Sequence, residues 1–434
     1  MRIAILTRNR SQAGGVEIYL NDLIPELLRR NHSIAFIHEE DMQIDREPIA
    51  LPREVPVWSV KEMGSERSLS ALREWQPDLI YSHSFHDPNL EAEALEIAPA
   101  VFFAHVYHGT CVSGTKTCKS GQATPCRRRF GWQCLLHYYP QHCGGWNPLT
   151  MLRQYDLQSH RLSLLRSYRA IMTSSDYMRE EYLRHGFSPE RIFKAPLFAH
   201  QTETETSQPE VLDLEQPAVS GNGNKQGQTM SPRRLLFLGR MERLKGGTLL
   251  LEALRQVSET LERPLRLTLA GEGSDRESWE REAARVQAAN RDIQINFLNW
   301  VDRARHGKLF AETDLLIVPS IWPEPFGMVG PEAGLRGVPA AAFAVGGIPD
   351  WLTDGVNGHL APGDPPTSAG LAHAIIKCLD DPSHYDSLRH GAFEMAQRFS
   401  LKNHLAVLLK VFEEVAHHEA GAVTSPGPHW QSRS

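Results

Sequence analysis

Two glutamates, Glu324 and Glu332, and two cations, Arg240 and Lys245, are the residues whose types and spacing first suggest chemistry. The glutamates lie in Pro319–Gly337, PSIWPEPFGMVGPEAGLRG, with seven residues between them. Pro323 and Pro325 lack backbone donors and force their predecessors into extended geometry, so Glu324 belongs to a loop. Glu332 falls in a predicted short helix whose first turn accommodates Pro331 and which Gly337 stops. After a buried-looking strand at Leu315–Val318, the segment reads as strand, loop and helix N-terminus. Its backbone donors and positive dipole end then face the carboxyl edge of a sheet, which is an anion site. Arg240 follows Gly239 at the end of another predicted strand, and Lys245, Gly246 and Gly247 open the next helix. A guanidinium and an ammonium so placed can neutralise a diphosphate, although a solvated basic loop has the same composition. Gly271-Glu272-Gly273 and Gly346-Gly347 close two further strands, and the three glycine turns could meet the glutamate segment in one crevice.

The elements that must position these groups alternate along the chain. Strands are predicted at 2–7, 33–37, 55–60, 79–82, 100–105, 170–173 and 192–195, with helices between them, the first carrying a Pro25 expected to kink or split it. A second α/β unit begins at Arg234, with strands at 235–238, 265–270, 293–298, 315–318 and 340–343 and a last helix at 404–415. Such alternation implies parallel sheets covered on both faces. Residues 200–232 are polar and aperiodic and read as a mobile linker. The expected domains are therefore 1–199 and 233–395, a C-terminal helix at 396–420 packing back on the first domain, and a disordered tail at 421–434.

Composition sets bounds. At 434 residues two domains are the default. A net charge of −6 argues against nucleic acid as a partner. No apolar run approaches the roughly 20 residues of a membrane helix, and MRIAILTRNR is not a signal peptide, so a cytoplasmic location is expected. Five of six cysteines, Cys111, Cys118, Cys126, Cys134 and Cys143, crowd an insertion at 109–147, while Cys378 stands apart. Their wide spacing is unlike that of zinc sites, which leaves reduced packing thiols, a metal cluster and oxidised pairs equally open.

The chain resembles the retaining, nucleotide-sugar-dependent glycosyltransferases of family 4, also called group 1, which have two Rossmann-like domains facing across a cleft in the GT-B arrangement. The resemblance rests on FLGRMERLKGG from Phe237, LTLAGEG from Leu267, PSIWPEPFGMVGPEAGLRGVP from Pro319 and VGGIPDWLTDGVNGHLAPGD from Val345. GGVEIYLNDLIPELLRRNH from Gly14 and TSSDYMREEYLRHGF from Thr173 add to it. It implies that Arg240 and Lys245, beside Gly239 and Gly271, hold the donor diphosphate and support the leaving group without a metal or other cofactor. It further implies that Glu332 holds the ribose, that Glu324 contacts the donor sugar, and that Phe326, Gly327 and Met328 offer backbone donors. Gly15 would admit the diphosphate from across the cleft.

His105, ending the predicted strand AVFFAH, would lie beside the donor sugar, with His108 a competing assignment and His83 on the acceptor side. The donor would be a UDP- or GDP-sugar and the acceptor a saccharide or a lipid-linked molecule. Asn299-Trp300 departs from the family pattern near the nucleobase. The insertion after His105 would choose the acceptor. Its Lys116, Lys119 and Arg127–Arg129 could face an anionic acceptor or lipid headgroups at the inner face of a membrane, or only solvent. A nucleotide-sugar epimerase or hydrolase, and a non-catalytic sugar-nucleotide-binding protein, are the competing functions on this fold.

Overall fold

The computed structural model describes residues 1–12, 14–40, 47–121, 123–199 and 231–417. The expected linker lies outside these residues except for Ser231 and Pro232, and the expected tail lies wholly outside them.

Hydrophobic runs too continuous for a one-sided sheet become strands buried on both faces; Ile3, Ala4, Ile5 and Leu6 have no exposed surface. The first sheet takes β1 (Arg2–Asn9), β2 (Ser33–Glu40), β3 (Val57–Ser59), β4 (Leu79–Ser82) and β5 (Ala100–Ala104). A small hairpin, β6 (Thr117–Cys118) and β7 (Thr124–Pro125), precedes β8 (Ala170–Thr173) and β9 (Ile192–Lys194). The second sheet comprises β10 (Arg233–Leu238), β11 (Leu265–Ala270), β12 (Ile293–Leu298), β13 (Leu315–Val318), β14 (Ala340–Phe343) and β15 (Gly358–Ala361).

Strand order is β3-β2-β1-β4-β5-β8-β9 in the first sheet and β12-β11-β10-β13-β14-β15 in the second, parallel throughout. Both orders reverse once, between β1 and β4 and between β10 and β13. A doubly wound sheet opens its ligand crevice at such a reversal, outside the carboxyl ends of the strands. β10 and β13 pair only through Leu235–Leu315 and Leu236–Leu316, while β10 continues to Leu238, so the two chains part toward that crevice.

The strands at 79–82, 170–173, 265–270, 293–298, 315–318 and 340–343 have the bounds expected from sequence. Pro25 does not split its helix, which runs unbroken over Gly15–Arg29. The proline is exposed, while Leu20, Leu23, Ile24 and Leu27 are buried on the opposite face. Water can satisfy the freed carbonyl on the outer side, and packing holds the inner one. Helices at Arg303–Ala311, Ser368–Leu379 and Pro382–Gln397, and strand β15, have no counterpart in the sequence reading.

The helix Leu401–His417 crosses back onto the first sheet, where Phe412 meets the Tyr81 ring at 4.9 Å. His404 fastens it. Its Nδ1 lies 2.8 Å from the Pro196 carbonyl, which can only accept, so Nδ1 carries the proton. Nε2 then accepts from the Tyr19 hydroxyl at 2.7 Å, and Tyr19 accepts from Tyr81 at 2.7 Å. Burial pushes His404 down to about 4, against an opposing pull from the Pro196 carbonyl.

The unfolded chain takes up this proton as pH falls through about 6.5, whereas the folded chain resists until about 4. Stability contributed by His404 is complete above that window and is lost as pH falls through it, by up to about 1.4 kcal/mol per pH unit. Thermal melts between pH 7 and pH 4 should show this loss, and His404→Gln should lessen its slope, leaving the share that His83, His105 and His108 contribute.

Candidate active site

At the carboxyl ends of β10, β11 and β13 the loops touch backbone to backbone. Gly246 has φ +73°, and a Cβ there would lie 1.8 Å from the Pro319 carbonyl oxygen; one on Gly271 would lie 2.0 Å from that of Gly239. Only glycine permits both approaches. The third glycine turn joins them, since the Gly347 N–H donates to the Glu324 carbonyl at 2.7 Å. The crevice expected from the three turns is therefore a physical contact among loops.

This packing carries Lys245 to Glu324. The ammonium donates to Glu324 Oε1 at 2.5 Å and lies 5.5 Å from the Trp322 ring centroid, and the Ser320 hydroxyl donates to the same Oε1 at 2.5 Å. Glu324 is buried. Burial alone would raise its pKa, but the Lys245 charge and the hydrogen bonds from Lys245 and Ser320 outweigh it and hold the carboxyl below its ordinary value. Arg240 stands apart from this pair: its side chain is 61% exposed and its Nη1 donates to Glu242 at 2.8 Å. Glu332, in the helix Val329–Gly334, lies 3.7 Å from His306 Nδ1. Phe326 packs on Phe399 and its carbonyl accepts from Trp351 Nε1 at 2.7 Å, while Gly327 turns the chain with φ +90° and Met328 leads into the helix.

The first domain meets this loop directly. Tyr107, three residues beyond β5, donates its hydroxyl to the Pro323 carbonyl at 2.7 Å, and the Ser174 hydroxyl donates to the Pro325 carbonyl at 3.1 Å. Asp350 accepts from the Asp176 N–H at 3.0 Å and pairs with Lys194 at 2.7 Å.

His105 follows β5 and is partly buried; burial, aided by His404, pushes it down to about 3. Its Nε2 lies 2.8 Å from His83 Nδ1. His83 is buried behind it, and His83 Nε2 has no hydrogen-bond partner among the described residues. An orphaned lone pair costs less than an orphaned N–H, so His83 Nδ1 donates and His105 keeps its own proton on Nδ1. His108, three residues on, is likewise pushed down to about 3 by burial and then by Arg161. All three imidazoles are neutral at pH 7. Gly15 begins its helix with Glu17 accepting from the Gly14 N–H at 2.9 Å, and a Cβ on Gly15 would meet nothing within 4 Å. Packing does not demand glycine there.

All six cysteines are free thiols, and five line one cavity of about 20 Å³ with Lys116, Arg128 and His137. Burial raises Cys118 and Cys134 and pushes Cys143 up to about 12. Among the described residues, no group of three or more His, Cys, Asp or Glu side chains is arranged to hold a metal ion. Lys116 is buried against Glu181 at 2.5 Å rather than facing outward. Tyr107, Ser320 and Trp322 escaped the sequence reading; each contributes through a contact with a residue distant in the chain or within a loop that has no period.

The family model described as "Glycosyl transferases group 1" matches residues 222–395, and that described as "Glycosyltransferase Family 4" matches residues 13–196. The chain belongs to this glycosyltransferase family. A D-inositol 3-phosphate glycosyltransferase of Catenulispora acidiphila is 33% identical over 41% of this chain and 43% of its own length. A phosphatidyl-myo-inositol mannosyltransferase of Mycobacterium leprae is 32% identical over 42% and 47%. The matched stretch thus spans less than half the length of these curated relatives. The Anabaena protein HepE, solved with UDP and glucose, superposes with a TM-score of 0.64 at 20% identity, covering 95% of this chain and all of its own. A sucrose-phosphate synthase from Thermosynechococcus elongatus gives 0.64 at 19%, over 97% and 100%. The two-domain GT-B fold follows from these superpositions.

Removing Lys245 would strand a buried carboxylate. Lys245→Met should cost about 3 kcal/mol of unfolding free energy, and adding Glu324→Gln should return most of it. Denaturant titration of the four chains measures the coupling; simple additivity would contradict the pairing.

Proposed function

We propose that this chain is a retaining glycosyltransferase that moves a sugar from a nucleoside diphosphate sugar to an acceptor hydroxyl, in glycan, polysaccharide or glycolipid synthesis. The observation that carries the reading is the Lys245–Glu324 contact at the β10/β13 reversal, against which Tyr107 brings the end of β5. A cation suited to a diphosphate and an ionised carboxylate suited to sugar hydroxyls stand together where a doubly wound sheet binds ligands.

In this reading Arg240, free to move from Glu242, joins Lys245 on the departing diphosphate, and their charges stabilise it without a divalent ion. Glu332 accepts from the ribose hydroxyls. Glu324 accepts from the donor sugar and is not a nucleophile, since the diphosphate leaves from the face that the acceptor attacks and takes the acceptor's proton. His105 is neutral and donates a hydrogen bond from Nδ1 to the sugar, its ring held by His83. Gly15 lets the first domain approach the diphosphate as the cleft closes. The UDP and glucose held by HepE favour a UDP-sugar among the candidate donors.

The test is a product-mass screen of UDP-, GDP- and ADP-sugars with free and lipid-linked saccharides, followed by the anomeric configuration of the product. Acceptor-dependent transfer with retention, unaffected by EDTA, is expected, and Glu324→Ala or Lys245→Ala should lower turnover at least about 100-fold. Full turnover in either variant would refute the site. Nucleoside diphosphate released without an acceptor would mark a hydrolase, an isomerised donor an epimerase, and binding without turnover a sensor.

Because His105 is pushed down to about 3, kcat/KM should show no imidazole limb between pH 5 and pH 8 that His105→Gln abolishes. The same variant should cost about tenfold, the worth of one neutral hydrogen bond.

A further inference from the structure

Five of the large apolar side chains left in solvent fall within residues 132–152: Trp132 is 64% exposed, Leu136 64%, Trp146 77%, Leu149 63% and Leu152 50%. They do not belong to an unfinished core. The segment has its own, in which buried Val112, Phe130 and Tyr138 pack with Met151 and Tyr155. Trp132 and Leu136 are four residues apart at the helix Gln133–His137, and Leu149 and Leu152 are three apart on the helix Pro148–Leu164, so each pair shares a face, and the two helices touch. Trp146, between them, stacks on Tyr139 with ring centroids 5.7 Å apart and planes 8° from parallel. Packing therefore holds that indole out in solvent.

Charge marks the same stretch. No aspartate or glutamate occurs between Glu96 and Asp156, while Lys116, Lys119, Arg127, Arg128, Arg129 and Arg153 do, in a chain whose net charge is −6. Lys116 is spent inward on Glu181 and Arg128 turns to the Cys118 thiol, whereas Arg127, Arg129 and Arg153 are exposed. We propose that Trp132, Leu136, Trp146, Leu149 and Leu152, together with exposed Arg127, Arg129 and Arg153, dock this chain on an anionic lipid bilayer. Exposed tryptophan and leucine flanked by arginine is the composition that settles at the boundary of headgroup and acyl chain, where indoles find both an apolar and a wet side. A second copy of the chain fits worse. A two-fold interface would set the acid-free stretch 97–155, with exposed Arg127, Arg129 and Arg153, against itself, largely positive on positive.

The insertion that carries this face reaches the second domain, because Arg243 donates to the Gly121 carbonyl at 3.4 Å and Arg127 lies 3.6 Å from Asp364. A membrane-held acceptor would then be presented at the cleft mouth. That last step rests on the transferase reading, whereas docking itself does not, and the test below uses neither donor nor acceptor.

The full chain is sedimented with vesicles of phosphatidylcholine alone or mixed with phosphatidylglycerol, at low and high salt. Binding to the anionic vesicles, weakened by salt, is expected. Arg127→Gln with Arg129→Gln should weaken it about 25-fold, at about fivefold for each cation. Trp132→Ala with Trp146→Ala should weaken it at least about tenfold. Unchanged melting temperatures would confirm that these exposed substitutions leave the fold intact, and if they fall, Leu149→Ser with Leu152→Ser reads the same face. No binding to anionic vesicles, binding indifferent to every apolar variant, or a dimer that Trp146→Ala dissolves would each overturn the proposal.

Discussion

A carboxylate buried in a folded chain stays ionised only if a cation comes with it, and in this protein much of the site geometry serves that requirement. Glu324 has Lys245 on its Oε1 at 2.5 Å. The ammonium reaches it because Gly246 lets the β10 loop lie against the Pro319 carbonyl, at a distance no side chain would tolerate. The loop bearing Glu324 is held from behind by Gly347 and from across the cleft by Tyr107. The pair thus reports on both domains, since the packing that makes it also aligns the ends of β5, β10 and β13.

The opposite wall is built on a different principle. His83, His105 and His108, which follow the ends of β4 and β5, are kept neutral by burial and so can offer hydrogen bonds rather than charge. In the proposed transferase, charged Lys245 and Glu324 would face neutral histidines, which suits a reaction in which negative charge develops on the leaving diphosphate alone. The helix Leu401–His417 ties the second domain's chain back to the first sheet through His404, Tyr19 and Tyr81, which sit behind the same histidines.

Much of this was legible in the sequence. Strands buried on both faces announce themselves as continuous apolar runs, and 315–318 and 265–270 could be bounded to the residue. Glycines at strand ends marked where backbones must meet. Other parts were hidden for physical reasons. The helix at Ser368–Leu379 packs through small residues such as Ala372 and Ala374, which blur its period. Pro25 does not split its helix because it faces solvent, where water satisfies the freed carbonyl. The separation of exposed Arg240 from the buried Lys245–Glu324 pair follows from loop packing, which spacing along the chain does not encode. So does the convergence of five widely spaced cysteines on one cavity.

Calorimetric titration of the native chain and of Lys245→Met/Glu324→Gln with UDP and with GDP tests the central claim most directly. That claim is that Lys245, held in place by Glu324, binds the donor's diphosphate. The account predicts a single site in the native chain and, in a variant that melts normally, binding weakened at least about tenfold for loss of a charge-assisted contact. A normally folded variant that binds the nucleotide as tightly as the native chain would contradict it.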